Sequence, residues 1–554
     1  MSTNAAGQTG VCLSVKVVNP GAFGGRCATP RVESSIVTDE TLGDEFQKTS
    51  KVDDAMKVQQ FLEHHGLKQN PFSQEDAQTD PLFQQYCARG TFHPAWDKIF
   101  GDPGTPSTAV VFGEKGSGKT ALRLQIVDHT SNYNREHPDS RVFIIEYDDF
   151  NPFLDCFNEK MAWPGATPER TLSKWRLWDH IDCILSLAVT KLIDDVLDER
   201  TLGDPQPFEV RGESLQKLSR PQKRDLLLLA AFYDRSTHVS LQHRWSHLRR
   251  KLHFANWKTW REFAIGAGVS LGLFGLLAEL GKLAQFGHWW VWLVLIAAWA
   301  PFLWKQGWLM LLSWKLKRQL RVIDRQLNPL REILSGFEGN DLVGQPLPAR
   351  ERSDDRYELL GKLLAILKAL GFDSVTILVD RVDEPHLING SPERMKAFLW
   401  PMFDNKFLKL GGLGFKLLLP VEVSFFLAKE DKEFYERSRL DKQNLIRSLE
   451  WTGESLYDLA NDRIRASNPH SQATASKLKS WFEDAISEPE LVSTLARLRV
   501  PRHLFKFLHR LLVEHCHRYT DESPRWQIGR ETLQSTLAVY MRDLEAYDRG
   551  LGTG

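Results

Sequence analysis

The sequence predicts an α/β protein in which a parallel sheet is interrupted by a helical insert and followed by a C-terminal helical domain. Four short apolar runs have the length and composition of buried strands, and the segments between them repeat apolar residues at helical spacing. Two apolar stretches inside the insert are each about the ~20 residues needed to cross a bilayer. The 554 residues provide for roughly three or four domains.

Composition limits the classes of function. Lys plus Arg and Asp plus Glu both number 71, so the formal net charge is zero. This balance argues against nucleic acid as a partner through global attraction. The six cysteines lie far apart without a CxxC pair, so neither a zinc ribbon nor a thioredoxin-type site is indicated. Scattered thiols and a start without a signal-peptide apolar core lead us to expect a cytoplasmic bulk.

The N-terminal part divides into an arm and the first half of the sheet. Residues 1–68 are rich in Gly, Ser, Thr and charge, and we expect a flexible arm with one helix over 52–65. Residues 69–170 form the first half of the sheet domain, with strands predicted at 109–112 and 142–147.

Residues 171–256 are predicted to be a helical insert. One helix face is marked by apolar residues at three- and four-residue spacing, namely Ile181, Leu185, Ala188, Leu192 and Val196. A second helix begins after Ser219, a capping residue followed by a proline in the first turn. We expect the two helices to pack together.

Residues 257–314 differ in composition from the rest of the chain. They contain nine of the 18 tryptophans and almost no acidic residues, and the apolar stretches cover 263–280 and 286–304. Basic residues flank the pair: Arg249, Arg250, Lys251, Lys258 and Arg261 before it, and Lys305, Lys315, Lys317, Arg318 and Arg321 after it. Because basic residues concentrate at the two outer ends of the pair, we predict a transmembrane hairpin with both ends in the cytoplasm. A buried helical hairpin inside a soluble domain is the alternative.

The remaining chain returns to the sheet and then becomes helical. Residues 315–372 are predicted to be returning helices, with a long charged helix after Arg321 and another over 352–370 that Gly371 ends. Residues 373–450 supply the second half of the sheet, with strands at 375–379 and 415–419. Residues 451–554 are predicted to be a helical lid domain, with helices near 455–464, 504–512 and 531–547.

A glycine-rich loop between a strand and a helix carries the clearest motif. The eight residues that satisfy GxxxxGK[ST] are Gly113, Glu114, Lys115, Gly116, Ser117, Gly118, Lys119 and Thr120. The glycines allow successive backbone N–H groups to face a phosphate, and the positive end of the following helix points at the same anion. Lys119 is expected to contact the β- and γ-phosphates, and Thr120 to bind Mg²⁺.

An acid at the end of a second strand completes this type of site. The strand at 375–379 leads to Asp380, which we assign to the metal, while Asp383 and Glu384 follow in the loop. Glu384 is preferred over Asp383 as the group that polarises water. The alternatives are a carboxylate that caps the strand and a solvated acidic turn, and Arg381 is placed to pair with these acids.

In its glycine-rich loop and its strand-end acids, the chain resembles the KAP family of P-loop NTPases, which are relatives of the AAA+ and STAND ATPases. In that family membrane helices interrupt the nucleotide-binding domain, as the predicted hairpin does between Lys119 and Asp380. The Asn70-Pro-Phe segment and the segment 449–456 are also similar to bacterial ATPases of this group. The resemblance covers about 70–510 and implies a P-loop NTPase sheet with a C-terminal lid, ATP and Mg²⁺ as cofactors, and assembly with further copies.

Several positions depart from the family pattern. The run from Asp380 to Glu384 lacks the paired Asp-Asp of many members, and Glu422 stands where AAA+ proteins offer a polar sensor. Arg502, in the sequence Pro-Arg-His-Leu, resembles the lid-helix arginine that can reach the γ-phosphate, or is a plain helix-start arginine. Arg437 and Arg439 are either fingers acting between subunits or part of a solvated face.

Together these features predict a cytoplasm-facing, membrane-anchored ATPase of the inner membrane that uses ATP as a conformational switch in signalling or defence. Lys119 and Asp380 must meet around one nucleotide, so the chain between them crosses a membrane an even number of times. Membrane lipid, through residues 257–314, and an unidentified protein are the expected partners. The alternatives are a slow-turnover STAND-like sensor and a soluble ATPase acting on nucleic acid through the basic stretch 243–251.

Overall fold

The computed structural model describes residues 55–198, 212–235, 239–255, 261–280, 288–467 and 477–548. Residues 1–54 of the predicted flexible arm and the predicted hairpin turn at 281–287 lie outside these ranges.

The sheet has five parallel strands in the order β2-β3-β4-β1-β5. Their bounds are β1 Ala109–Gly113, β2 Arg141–Tyr147, β3 Phe372–Val379, β4 Leu413–Pro420 and β5 Asn444–Ile446. Nearly every residue of β1, β3 and β4 is buried, as expected for a parallel sheet covered on both faces. The four predicted strands are confirmed, whereas the three-residue β5 was not predicted.

Helices cover the sheet and form the rest of the described chain. In the first half they are α1 Val58–His64, α2 Trp96–Phe100, α3 Lys119–Glu136, α4 Asn151–Met161, α5 Pro168–Leu172, α6 Leu177–Leu197, α7 Gly212–Gln216, α8 Arg220–Tyr233, α9 Leu241–Lys251, α10 Arg261–Glu279 and α11 Trp289–Gln319. In the second half they are α12 Leu327–Ser335, α13 Gly339–Leu342, α14 Ser353–Ala369, α15 Pro392–Leu399, α16 Asn405–Leu408, α17 Val421–Leu427, α18 Lys432–Ser438, α19 Gly453–Ala466, α20 Glu488–Ala496, α21 Pro501–His517 and α22 Arg530–Asp548. Residues Phe83–Cys87 form a short π-helix.

The predicted pairing of the two insert helices is confirmed. The Ser186 hydroxyl on α6 donates to the Tyr233 carbonyl at 2.9 Å, and the Tyr233 hydroxyl donates to Asp182 at 2.8 Å. Ser219 caps α8 as expected, accepting from the Gln222 amide. The insert is continuous with the main hydrophobic core beside the sheet.

Helices α10 and α11 are long and apolar enough to cross a membrane, and little of either is covered by protein. All but five of the exposed large hydrophobic side chains in the described chain lie on them, the exceptions being Tyr86, Trp163, Leu280, Val343 and Phe425. The two helices contact each other where Trp299 packs at the position of Gly266 and donates to the Ser270 hydroxyl at 3.0 Å. Ser270 in turn donates to the Gly266 carbonyl, so this polar residue of the apolar stretch is hydrogen-bonded.

The prediction of a long charged helix after Arg321 is wrong. The long element is α11 itself, which continues to Gln319 because its last turns pack on the main core through Leu309, Leu312 and Leu316. The nine-residue α12 and the four-residue α13 follow it before α14. The helix predicted over 352–370 is confirmed as α14, and Gly371 ends it with a φ of +87°.

Residues 451–554 contain the helices α19 to α22, in line with the predicted helical pattern, and these helices surround a second hydrophobic core. Residues 55–68, assigned from sequence to the flexible arm, belong to this core instead. Phe61 and Leu62 of α1 are fully buried in it, and the Met56 amide donates to the Tyr519 carbonyl at 2.9 Å. These few buried apolar residues lie in a segment of polar composition, so the sequence pattern did not predict that it packs into a core.

Candidate functional site

The glycine loop, residues 113–118, joins the buried strand β1 to helix α3. Gly116 and Gly118 have φ values of +90° and +93°, a conformation that other residues rarely adopt. A side chain at Gly116 would also collide with Arg502, whose Cβ would lie 2.6 Å from the added Cβ. The first-turn N–H groups of α3 have no partner within the helix and face the loop. This backbone is arranged to receive an anion.

Lys119 lies at the centre of the loop. Its Nζ donates to the carbonyls of Gly113 at 2.8 Å and Glu114 at 3.0 Å. Burial lowers the pKa of this lysine, while the carboxylates of Asp380, Asp383 and Glu422 act in the opposite direction. The ammonium group is therefore held against the loop and faced by acids from two other strand ends.

The carboxyl ends of β1 and β3 meet, as the sequence predicted. The Thr120 hydroxyl donates to Oδ2 of Asp380 at 3.1 Å, although 260 residues separate them. Asp380 is only 1% exposed. Burial raises the pKa of its carboxyl, and Arg123 and hydrogen bonds from the Arg381 backbone and Thr120 oppose that rise. A hydroxyl and a carboxylate thus share one small volume beside the loop.

Arg123, one helical turn after Lys119, is a site residue that the motif analysis missed. Its side chain is 3% exposed, and Nε lies 3.7 Å from Asp380. Its Nη1 pairs with Glu146 at 3.2 Å and also with Asp148. Arg123 therefore links the end of β2 to the acid that follows β3. A lone arginine among the buried residues of α3 was the available signal, and it stands outside the GxxxxGK[ST] pattern.

The loop after β3 presents the two candidate water-activating acids differently. The Glu384 side chain is 60% exposed and lies 3.6 Å from the Arg381 guanidinium. Partial burial raises the pKa of Glu384, and Arg381 opposes that effect. Asp383 is half-buried. Arg381 has a φ of +58°, so the backbone is strained where the loop leaves the strand.

The C-terminal helical domain contacts the glycine loop directly. The Arg502 backbone N–H donates to the Gly116 carbonyl at 3.3 Å, and its Nε lies 3.8 Å from Glu75. Pro501 and Arg502 begin helix α21, as expected from the resemblance of the Pro-Arg-His-Leu sequence to the start of a lid helix. Trp451, which was not predicted, donates from Nε1 to the Ser117 carbonyl at 2.9 Å. Two hydrogen bonds, from Arg502 and from Trp451, therefore join the helical domain to the glycine loop.

Most of the predicted site residues line one cavity of about 230 Å³, which we call the cleft. The predicted residues that line it are Gly113, Lys115, Gly116, Gly118, Lys119, Thr120, Asp380, Asp383, Glu384, Glu422 and Arg502. Ser117 is buried behind the loop, and Glu114 is exposed. Arg437 and Arg439 are exposed on and beside α18 and are not among the cleft residues of the described chain.

The residues at the cleft fit a phosphate group with a divalent cation. Within the described ranges, the buried Nε atoms of Arg381 and Arg502 make no hydrogen bond and have only longer contacts, with Glu384 at 3.6 Å and Glu75 at 3.8 Å. The same ranges contain no group of three or more His, Cys, Asp or Glu side chains that could hold a metal. One carboxylate and one hydroxyl suit Mg²⁺, which takes its other ligands from phosphate and water.

Comparison of the chain with protein-family models, with curated proteins and with solved structures finds no match in any of the three.

Proposed function

We propose that the chain is a membrane-anchored, cytoplasm-facing P-loop ATPase of the KAP type that uses Mg·ATP as a conformational switch. The hydrogen bond between Thr120 and Asp380 carries this proposal, because it brings the glycine loop and the acidic strand end to one point of one parallel sheet. Phosphoryl transfer to water needs this pairing of a phosphate-binding loop with a metal-side acid.

The proposal gives a role to the glycine loop and to six of the predicted side chains at the cleft. The glycine-loop amides and Lys119 bind the phosphates, while Thr120 and Asp380 hold the metal. Bound Mg²⁺ neutralises charge on the phosphate oxygens. Glu384 or Asp383 accepts a proton from the attacking water. Arg502 begins the helix that lies against the loop, which is where a γ-phosphate contact belongs.

A switch role is supported by the contacts from the helical domain to the loop. Trp451 and Arg502 both bind backbone carbonyls of the glycine loop, so a ligand that moves those carbonyls changes the docking of the domain. The same contacts favour the slow-turnover sensor as a second candidate. For the nucleic-acid alternative, Trp245 and Phe254 are buried and Arg244 is paired with Asp234 at 2.9 Å, which leaves less of the basic stretch free.

The membrane anchor is supported by the uncovered apolar surface of α10 and α11. Contiguous apolar surface of this size is rare on soluble monomers, and backbone in a bilayer must be helical or barrel-forming. Both helices connect to the body at one end, so Lys119 and Asp380 lie on the same side of two crossings. We place the hairpin in the inner membrane with the folded body and both termini in the cytoplasm.

Substitution of the loop lysine tests the nucleotide assignment. A charged hydrogen bond contributes about 1.5–3 kcal/mol, so Lys119→Ala is expected to weaken Mg·ATP binding by about 10- to 100-fold. Lys115→Ala is the matched control, because the Lys115 side chain is exposed. Titration of a fluorescent ATP analogue into the detergent-solubilised protein measures both. Equal affinities for the two variants would contradict the assignment.

A further inference from the structure

A second cavity, of about 490 Å³, lies where the apolar hairpin joins the folded body. Residues from α9, α10, α11 and α12 line it, and we call it the hairpin-base cavity. Those used below are Trp245, Arg249, Phe263, Phe302, Lys305 and Glu332. Its volume falls in the ~300–1,000 Å³ range of small-molecule sites. The nucleotide proposal makes no use of it.

The walls of the hairpin-base cavity combine apolar rings with polar groups. Phe263 and Phe302 come from the two hairpin helices, with ring centroids 5.9 Å apart. Trp245 comes from the body, and its indole N–H is already bonded to the Leu227 carbonyl at 3.0 Å. The hairpin side of the cavity includes Phe263, which is exposed, and the body side combines the Trp245 ring with the charged Arg249 and Glu332.

Arg249 leaves a positive charge without a carboxylate partner in this cavity. Its Nε donates to the Phe254 carbonyl at 3.0 Å, and no ion pair to it is found in the described chain. The other two charged residues are Lys305, which pairs with Glu262 at 3.2 Å, and Glu332, which accepts from the neutral Gln242 and keeps its negative charge. Burial lowers the pKa of Arg249, yet a guanidinium stays charged at neutral pH. A half-buried cation of this kind favours an anionic ligand.

We propose that the hairpin-base cavity binds the phosphodiester headgroup of an anionic phospholipid from the inner leaflet. Arg249 contacts the phosphate, and Phe263 and Phe302 lie beside the glycerol and the start of the acyl chains. Basic pockets at the cytoplasmic ends of membrane helices commonly bind such headgroups. The exposed Trp304 and Trp308, on either side of Lys305 in α11, belong at this same depth. The inference rests on the membrane placement proposed above.

Binding of tail-labelled lipids to the detergent-solubilised full chain tests the site. We expect fluorescent phosphatidylglycerol to bind about fivefold more tightly than phosphatidylcholine with the same label and tails, because one basic residue adds about that factor. Arg249→Gln removes this preference, whereas Arg250→Gln, the exposed neighbour on α9, keeps it. Equal binding of the two lipids, or an Arg249→Gln protein that behaves as wild type, overturns the proposal.

Two further measurements distinguish lipid binding from the effects of misfolding and from the binding of a soluble anion. Glu332→Gln removes the acid that faces the cavity and is expected to increase the affinity for phosphatidylglycerol, a gain that a misfolded protein does not produce. Displacement of the lipid by inorganic phosphate at about 1 mM, which requires a phosphate Kd near or below that concentration, would assign the cavity to a soluble anion and overturn the lipid source. None of these lipid-binding measurements contains nucleotide, so Lys119→Ala is expected to bind lipid as wild type does. If the lipid proposal is contradicted, the ATPase proposal is unaffected.

Discussion

In the proposed function, Asp380 is the residue on which metal binding in the cleft depends. Its carboxylate accepts from Thr120 and faces Arg123, so it is held by one group from the loop motif and one from outside it. The sequence predicted Thr120 and Asp380 because their motifs lie at strand ends. It did not predict Arg123, Glu146 or Trp451, since their roles arise from how β2 and the helical domain pack around the loop.

The two acids after β3 make separate predictions. If Glu384 accepts the proton from water, Glu384→Gln lowers ATP turnover by about 10²- to 10⁴-fold and leaves ATP binding intact, because the side chain is largely exposed and its ion pair is with Arg381. Asp383→Asn is the matched comparison. Phosphate release and analogue binding are measured on both proteins. Wild-type turnover in Glu384→Gln with loss in Asp383→Asn would transfer the role to Asp383.

At the scale of elements, the strands and long helices followed from the sequence more closely than the short segments did. Strands β1 to β4 are nearly continuous apolar runs, and α6 and α14 carry clear helical periodicity. Strand β5 has three residues and is defined by its pairing with β1, which no local pattern encodes. Residues 55–68 join the second core through Phe61 and Leu62, and two anchors in a polar segment give little periodic signal.

The contact between β2 and α6 makes a pH prediction. His180 is fully buried, with Nε2 at 2.8 Å from the Phe398 carbonyl and Nδ1 at 3.1 Å from the Tyr147 hydroxyl. Burial lowers its pKa from 6.5 to about 3. The unfolded chain therefore takes up a proton below pH 6.5 that the folded chain does not, and the stability contributed by neutral His180 is lost as the pH falls from 6.5 towards 3.

The expected loss is about 1.4 kcal/mol per pH unit in that window. His180→Gln is expected to have a shallower decline of unfolding free energy between pH 6.5 and 5 than wild type, whatever its stability at pH 7. His243→Gln, an exposed histidine on α9, serves as the control. Denaturant unfolding at several pH values measures the slopes, and identical slopes for wild type and His180→Gln would contradict the burial argument.

At the scale of the whole molecule, the proposed membrane location rests on the hairpin. Helices α10 and α11 leave their apolar faces uncovered, whereas the last turns of α11 enter the main core through Leu309, Leu312 and Leu316. The sequence predicted the two apolar stretches but ended the hairpin at residue 314. Hydropathy records where apolar residues are, and it does not distinguish those that face lipid from those that face the protein.

Membrane extraction tests this arrangement on the intact protein. Alkaline carbonate releases peripheral proteins, and two spanning helices are expected to keep the full chain in the membrane pellet. A variant lacking residues 261–319 would disturb the core, so the comparison protein carries aspartates at Leu271 and Ile296, two exposed apolar residues of α10 and α11. Each charge costs about 2.5–3.5 kcal/mol in a bilayer, and this protein is expected in the soluble fraction. Recovery of the wild-type protein in the soluble fraction would contradict the proposed membrane anchor.

The most direct measurement of the central claim is the Mg²⁺ dependence of ATP binding by wild type and Asp380→Asn. If the glycine loop and the β3 acid form one magnesium-nucleotide pocket, Mg²⁺ tightens ATP binding by wild type about tenfold or more, as expected for a charged ligand worth about 1.5–3 kcal/mol. Asp380→Asn is expected to bind ATP with no response to Mg²⁺. A wild-type protein that binds no ATP at any Mg²⁺ concentration, or an Asp380→Asn protein with an unchanged Mg²⁺ response, would contradict the account.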